Sequence, residues 1–258
     1  MTVFSDTSHL FVRSLKKLLR NPILLFFSLF QPIIFLLLFT QLFSRFALIP
    51  GFPTKSYTVF AVAGIVLQNG FSSAFQSGTA MVDDLRSGFL VKMLATPVSR
   101  PAILLGRIST DVFRVVIQST IILVLAYLVD SRSFPTTGIP GYILILVTIA
   151  FFGLAWSGIS LSIGLKTRSA ETVFGIAGSL TFPLLFMSTA LVPAALLPDW
   201  MGTVSRFNPI SITVDALRAI MGVQGYDFGL IPVAYGVIAL IGVLTMGATL
   251  FLFRKVIS

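Results

Sequence analysis

The residue types that carry most enzyme chemistry are sparse in this sequence. It contains no cysteine and a single histidine, His9, which excludes a thiolate metal site, a cysteine nucleophile and a histidine-rich metal centre. His9 near the amino terminus supports no Ser-His-Asp set, and there is no HExxH zinc motif. The run Gly164-Leu165-Lys166-Thr167 lacks the glycines that a P-loop needs before its lysine. We therefore expect no catalytic, cofactor-binding or metal site in this chain.

One polar stripe interrupts an otherwise apolar run. Its members are spaced four, three and four residues apart, which places them on one face of a helix: Arg107, Asp111, Arg114 and Gln118. A charge at bilayer depth costs at least about 2.5–3.5 kcal/mol, so such residues usually pair and face protein. The stripe is either a structural ion pair near the inner interface or part of a coupling or transport path. A proton relay is disfavoured because the other spans offer almost no titratable partner.

Other polar and small residues inside apolar runs also have a structural and a functional interpretation. Amides in the first two apolar runs either hydrogen-bond between helices or line a path; they are Gln31, Gln41, Gln68 and Asn69. Small residues at four-residue spacing allow helices to approach closely; they are Gly153, Ser157, Gly158, Ser162 and Gly164, with Gly175 and Ser179 further on. We expect the small residues to serve mainly packing.

The elements that must position these residues are transmembrane helices. The chain has 258 residues, of which 56% are hydrophobic and only 10% charged, and its mean hydropathy is +0.99. Soluble domains carry roughly 25% charged residues, so too few polar residues are present to cover a soluble core. Helices are required because an open sheet leaves backbone groups unsatisfied in lipid and barrel strands alternate in polarity.

About 20 apolar residues cross the hydrocarbon core, and this length predicts six spans. They cover residues 22–44, 57–80, 106–129, 141–165, 173–192 and 230–253. The net charge of +9 fits basic residues at the ends of these runs rather than nucleic-acid binding. With the amino terminus inside, the inner side carries Arg13, Lys16, Lys17, Arg20, Arg86, Lys92, Arg100, Arg107, Lys166, Arg168, Arg254 and Lys255. This excess predicts both termini in the cytoplasm, and we expect no cleaved signal peptide.

Two segments on the predicted inner side are candidates for contact with a partner. Residues 1–20 form a basic amphipathic helix, with the apolar and basic side chains of 4–20 on opposite faces. It is either a membrane anchor or a docking surface. Residues 81–105 form the longest inner loop, and apolar and basic residues at helical spacing predict a short helix from about Asp84 to Ala95. Pro97 and Pro101 delimit that helix.

The predicted external segment, residues 193–227, contains a helix too short to cross a bilayer. Asn208-Pro209 is a helix start and Gly222 a helix stop, so the intervening piece is re-entrant or interfacial. Asp215 and Arg218 are three residues apart and can pair on one face. The segment is either a capped external lid or a substrate gate.

The inner loop resembles the corresponding motif of ABC-2 type permeases, most closely the daunorubicin-resistance type of drug exporter subunit. The resemblance rests first on Asp83-Asp84-Leu85-Arg86-Ser87-Gly88-Phe89 and Leu94-Ala95-Thr96-Pro97-Val98-Ser99-Arg100. Further support comes from Lys166-Thr167-Arg168-Ser169-Ala170-Glu171, Leu197-Pro198-Asp199-Trp200, Phe207-Asn208-Pro209 and Ala216-Leu217-Arg218. Asp83 and Asp84 replace glutamates that are frequent in the family, and this departure leaves the subfamily and substrate open.

The resemblance implies an all-α integral membrane fold over residues 1–258, with six transmembrane helices, an interfacial amino-terminal helix and a two-protomer pore. It also implies that ATP and magnesium are bound by a separate P-loop ATPase subunit, present in two copies. The residues expected to couple the chain to this partner are Asp83, Asp84, Arg86, Lys92, Pro97 and Arg100. The second permease protomer is either identical or a similar chain, and export of a hydrophobic or amphiphilic substrate is implied.

Two other functions compete with this interpretation. A stand-alone secondary transporter or channel requires ion-binding residues at mid-depth and broken helices in paired positions. Pro32 and Pro183 are candidate breaks, but the sequence has no inverted repeat. A membrane-embedded enzyme requires a clustered polar site, which the lone His9 and the few acidic residues do not supply.

Overall fold

A computed structural model describes residues 3–20, 22–95 and 100–257, and every regular element in these ranges is helical. The α-helices are α1 Val3–Leu19, α2 Pro22–Leu42, α3 Tyr57–Arg86, α4 Phe89–Leu94, α5 Arg100–Val129, α6 Gly138–Thr167, α7 Ala170–Phe186, α8 Asp199–Phe207, α9 Pro209–Met221 and α10 Leu230–Ile257. Short 3-10 turns cover Ser44–Leu48, Ser131–Ser133 and Ala194–Leu196. The all-α prediction is confirmed for the described chain.

Four helices among the described residues are long and apolar enough to cross a membrane: Tyr57–Arg86, Leu105–Val129, Gly138–Thr167 and Leu230–Phe253. Shorter apolar helices at Ser28–Leu42 and Ala170–Phe186 lie where the first and fifth spans were predicted. The chain is therefore a multi-pass membrane protein, and the count of six spans remains a prediction. Helix α7 ends at Phe186 instead of residue 192. Asn208 Nδ2 donates to the Leu184 and Met187 carbonyl oxygens at this end, at 2.7 and 3.1 Å.

Helix α3 is the central element, and most of its side chains are buried against α2, α5, α6, α7 and α9. It approaches α6 at backbone distance, since a Cβ added to Gly78 would collide with the Ser160 carbonyl oxygen. The Ser160 hydroxyl donates to the Ala74 carbonyl oxygen at 2.6 Å across the same interface. On the other side of α6, Thr249 donates to the Gly158 carbonyl oxygen at 2.8 Å. The small residues of α6 therefore serve close packing, as predicted.

The bundle has two ends, which we name by the arginines that lie there. The Arg86 end contains the carboxyl ends of α3 and α6 and the amino ends of α5 and α7. Both α1 and the end of α10 also lie there, because Leu10 packs on Gly106 and Phe253 packs with Met81 and Leu165. The Arg218 end contains the opposite ends of α3, α5, α6, α7 and α10, together with α8 and α9.

The predicted inner loop, residues 81–105, is more helical than expected and is divided differently. Helix α3 continues to Arg86, and α5 begins at Arg100. The helix predicted from about Asp84 to Ala95 is therefore too long: only Phe89–Leu94 forms a separate helix, α4. Gly88 causes the interruption because its φ of +66° lies in the left-handed region, where glycine has no steric penalty.

Candidate functional site at the Arg86 end and its polar connections

An ion pair joins α3 to α5 at the Arg86 end. Arg107 Nη1 lies 2.6 Å from Asp84 Oδ2, and the two side chains are 16% and 20% exposed. Sequence reasoning placed Arg107 in the intramembrane stripe and Asp84 on the partner-facing loop. The structure brings them together, so Asp84 already has a partner within its own chain.

Arg86 connects the end of α3 to the turn between α6 and α7. Its Nε donates to the Arg168 carbonyl oxygen at 3.2 Å, and Arg168 itself ends α6 with a φ of +53°. Arg86, Asp83 and Lys92 are all exposed. These three residues therefore form a charged, accessible surface around the α3–α4 turn. Pro97 and the side chain of Arg100 lie outside the described residues.

A cation–π contact links the amino-terminal helix to α4. The Arg13 guanidinium lies 3.7 Å from the centre of the Phe89 ring, a geometry in which the ring quadrupole attracts the cation. Helix α1 also packs along α5, where the Phe11 and Phe113 rings meet edge to face at 5.7 Å. The sequence marked Arg13 only as part of a basic face, and nothing in its spacing identified Phe89 as the partner.

The central part of the stripe lies against α3. Arg114 Nη2 binds Asp111 Oδ1 at 2.9 Å, while its Nε and Nη2 donate to the Ser73 hydroxyl and carbonyl oxygens, both at 3.1 Å. Gln118 instead donates to the Ser28 hydroxyl of α2 at 2.7 Å. The stripe therefore binds three separate partners on α3 and α2 instead of forming one continuous network. Ser73 and Ser28 carried no signal in the sequence.

A small cavity of about 10 Å³ lies between α3, α5 and α6, lined by Ser73, Asp111, Gly153 and Ser157 among others. This volume is comparable to the space needed by one water molecule. The stripe is thus a tightly packed polar seam, and its geometry is that of a connection between helices.

At the Arg218 end, one arginine holds α9 against the rest of the bundle. Arg218 is 0% exposed and binds Asp215 Oδ1 at 3.0 Å through Nη1. Its other nitrogens donate to the Phe60 carbonyl oxygen at 3.3 Å and the Ala190 carbonyl oxygen at 3.0 Å. The guanidinium also stacks 3.5 Å from the centre of the Phe60 ring. The sequence predicted that Asp215 and Arg218 can pair, but not this depth of burial.

The local sequence explains how α9 is placed. The Asn208 side chain accepts from the Ile210 N–H, Pro209 occupies the first turn, and Gly222 ends the helix with a φ of +77°. The bounds predicted for this short helix are confirmed. The described neighbours of Arg218 make α9 a fixed cap on α3.

Comparison with known proteins extends over most of the chain. The family model of the ABC-2 type transporter matches residues 6–222. The chain is 30% identical over 248 residues to the daunorubicin resistance ABC transporter permease protein DrrB1 of Streptomyces coeruleorubidus, covering 95% of this chain and 85% of that protein. It is 28% identical to the putative transport permease ycf38 of Pyropia yezoensis, covering 93% and 82%, and 28% identical to that of Cyanophora paradoxa, covering 84% and 76%.

Proposed function

Since the chain belongs to the ABC-2 type transporter family as a membrane permease subunit of an ABC transporter, we propose that it exports a hydrophobic or amphiphilic substrate. Drug, lipid and glycan-like molecules are the candidate classes, and the relative named for daunorubicin resistance supports the first. ATP is hydrolysed by a separate ATPase subunit, which binds the nucleotide and magnesium. Two copies of this subunit are present in the transporter. Two permease protomers form the translocation path. The chain crosses the cell membrane six times, with both termini in the cytoplasm.

The observation that carries the mechanism is the ion pair between Asp84 and Arg107. It joins the last turn of α3 to the start of α5, directly beside the exposed surface around the α3–α4 turn. A force on that turn therefore acts on two of the long helices at once. Because packed helices rearrange between discrete states instead of bending continuously, such a force selects between two arrangements of the bundle.

The partner ATPase docks on the exposed surface formed by Asp83, Arg86 and Lys92. These side chains point outwards, whereas Asp84 is engaged with Arg107. Pro97 and Arg100 belong to the same proposed surface on the strength of the family resemblance. Helix α1 follows α4 through the contact of Arg13 with Phe89, so the amino-terminal helix is part of the same moving unit.

The polar seam of Asp111, Arg114 and Gln118 transmits this movement into the bundle. Arg114 binds Ser73 in α3 and Gln118 binds Ser28 in α2, so a shift of α5 changes the position of both helices. Asp215 and Arg218 keep the external segment attached to α3. In this mechanism α9 acts as a gate element that moves together with α3.

Charge reversal at the exposed surface tests the proposal. The chain is co-expressed with an ATPase encoded by an adjacent gene. Vanadate-sensitive ATP hydrolysis is then measured in reconstituted vesicles. Arg86→Glu is expected to reduce stimulation of the ATPase while membrane insertion is unchanged. Arg206→Glu, a charge reversal at an exposed position of α8 at the opposite end, serves as the control. Unchanged coupling in Arg86→Glu contradicts the docking surface, and solute movement under an ion gradient without ATP favours a secondary transporter instead.

A further inference from the structure

An aromatic cleft lies at the Arg218 end, away from the proposed coupling surface. It has a volume of about 310 Å³ and is lined by Leu123, Val124, Tyr127, Phe134 and Tyr142. Small-molecule sites begin at about 300 Å³, and a 150 Å³ apolar cavity holds one benzene ring. The cleft therefore has room for a group of two or more fused rings.

The rings of the cleft are arranged as stacking surfaces. Phe134 and Tyr142 are nearly parallel, with an interplanar angle of 15° and centroids 6.2 Å apart. Tyr127 meets Phe134 edge-on at 5.9 Å. Aromatic rings in offset-stacked or edge-to-face contact gain interaction energy beyond simple burial, so a planar ring makes better contacts here than a saturated chain.

The cleft is open along the exposed face of α5. Leu123 lies at the bottom of the cleft and is 5% exposed. Val124 and Tyr127 lie at its opening and are 47% and 46% exposed. Val124 lies six residues before Asp130, which corresponds to a depth of about 9 Å below the end of the helix. With α5 crossing the bilayer, the cleft lies close to the membrane surface, where an amphiphile in the bilayer can enter it.

A polar pair lies in the chain between the α5 residues of the cleft and Phe134. Asp130 follows α5 directly, and Arg132 stands two residues before Phe134. Arg132 Nε binds Asp130 Oδ1 at 3.0 Å, but the Arg132 side chain is 65% exposed and that of Asp130 only 13%. The arginine is thus the accessible charge, and it complements an anionic group.

We propose that this cleft binds the planar aromatic part of an anionic amphiphile taken from the bilayer, with the anionic group at Arg132. The ring packs against the exposed faces and edges of Tyr127, Phe134 and Tyr142, and the charged end lies at the membrane surface. The inference rests on the geometry of the cleft and does not depend on the transport mechanism or on the partner ATPase.

Thiol protection in the purified full-length chain tests the site. Because the protein has no cysteine of its own, Val124→Cys supplies the single reactive group. Its rate of modification by N-ethylmaleimide in detergent micelles is measured with and without 1-pyrenebutyrate. A probe at about ten times its Kd slows the reaction about tenfold. A matched control is Val243→Cys in α10, an exposed valine with 73% accessibility, where no protection is expected.

A second substitution, combined with Val124→Cys, tests where the aromatic ring and the anionic group of the probe bind. Added to Val124→Cys, Phe134→Ala is expected to abolish protection and Tyr142→Phe to preserve it. Arg132→Gln is expected to weaken protection by 1-pyrenebutyrate severalfold but not protection by neutral 1-pyrenemethanol; equal effects on both probes contradict the role of Arg132. Absence of protection at Val124→Cys, equal protection at Val243→Cys, or equal protection by dodecanoate overturns a site for planar aromatic groups.

Discussion

Arg107 Nη1 lies 2.6 Å from Asp84 Oδ2, and this contact fixes the end of α3 to the beginning of α5. The two residues are 23 positions apart, on either side of the segment that carries α4. The pair thus joins the two helices on either side of α4. In the proposed mechanism a movement of α4 acts on α3 and α5 together through this pair, so breaking the pair tests the mechanism.

Breaking the ion pair is expected to uncouple ATP hydrolysis from transport. Asp84→Asn and Arg107→Gln each remove one charge and leave the other partly buried. The charge exchange Asp84→Arg with Arg107→Asp restores an opposite pair, and contacting residues of this kind show coupling of about 0.5–3 kcal/mol. Stimulated ATPase activity and thermal unfolding in detergent measure the effect. If the losses of ATPase activity and stability in the exchanged variant equal the sum of the losses from the two single changes, the two charges do not interact.

Arg218 is expected to be the most sensitive charged position for stability. Arg218→Met removes the charged partner of the Asp215 carboxylate, which keeps only the Thr189 hydroxyl as donor, and the guanidinium donor of the Phe60 and Ala190 carbonyl oxygens. Losing one partner of a buried pair costs about 3–5 kcal/mol. Arg218→Lys keeps the charge but loses the planar fork and the stacking on Phe60, so it is also destabilising. Thermal unfolding in detergent is the measurement.

The control for Arg218 is Arg206→Met, because the Arg206 side chain is exposed at the same end of the bundle and surface changes usually stay within about 0.5 kcal/mol. A similar drop in unfolding temperature for both variants would contradict the anchoring role of Arg218.

The contact between α3 and α6 is expected to tolerate no added methyl group at Gly78. Its Cβ would meet the backbone of Ser160, which cannot rotate away, and overpacking of this kind costs about 1–3 kcal/mol. Gly247→Ala in α10 is the matched comparison, since a Cβ there has nothing within 4 Å. Removing a helix-interior glycine stabilises by up to about 1 kcal/mol. Size-exclusion chromatography after heating compares how much folded protein remains in Gly78→Ala and in Gly247→Ala. If Gly78→Ala is as stable as the wild type, α3 and α6 are able to move apart to accept the methyl group.

Asp130 is expected to make stability dependent on pH in the acidic range. Burial alone raises the pKa of its carboxyl, but hydrogen bonds from Ser56 and Arg132 and the Arg132 charge outweigh burial, so the pKa lies below its usual value of 3.8. A lowered pKa stabilises the folded state above that usual value, and the contribution disappears as the pH falls through the folded-state pKa. The effect is small because the Arg132 partner is 65% exposed and solvent screens the pair.

Unfolding temperatures of the wild type and of Asp130→Asn between about pH 3 and pH 7 test this expectation. The difference between the two proteins is expected to be largest at pH 7 and to vanish at the acidic end. A constant difference over the whole range would assign the effect to packing and not to ionisation of Asp130.

The sequence by itself determined the class of the molecule and its locally encoded elements. Composition required helices in a membrane, because too few polar residues are present to cover a soluble core. Helix α9 was predicted with its correct ends because Asn208, Pro209 and Gly222 act on their own neighbours. The prediction of one helix from about Asp84 to Ala95 was wrong, because only Phe89–Leu94 forms a separate helix. Periodicity showed the apolar face, but the break at Gly88 depends on a backbone angle that the pattern does not contain.

Only the tertiary structure decided which partners the polar residues have. Arg114 binds Ser73, 41 positions away, and Arg218 binds Phe60, 158 positions away. Spacing along a helix shows which residues share a face, but not which helix packs against that face. The carbonyl oxygens of Phe60 and Ala190 are backbone atoms present at every residue, so no side-chain pattern distinguishes them. Their role arises from the packing of α9 on α3, which brings a buried charge within hydrogen-bonding distance of these oxygens.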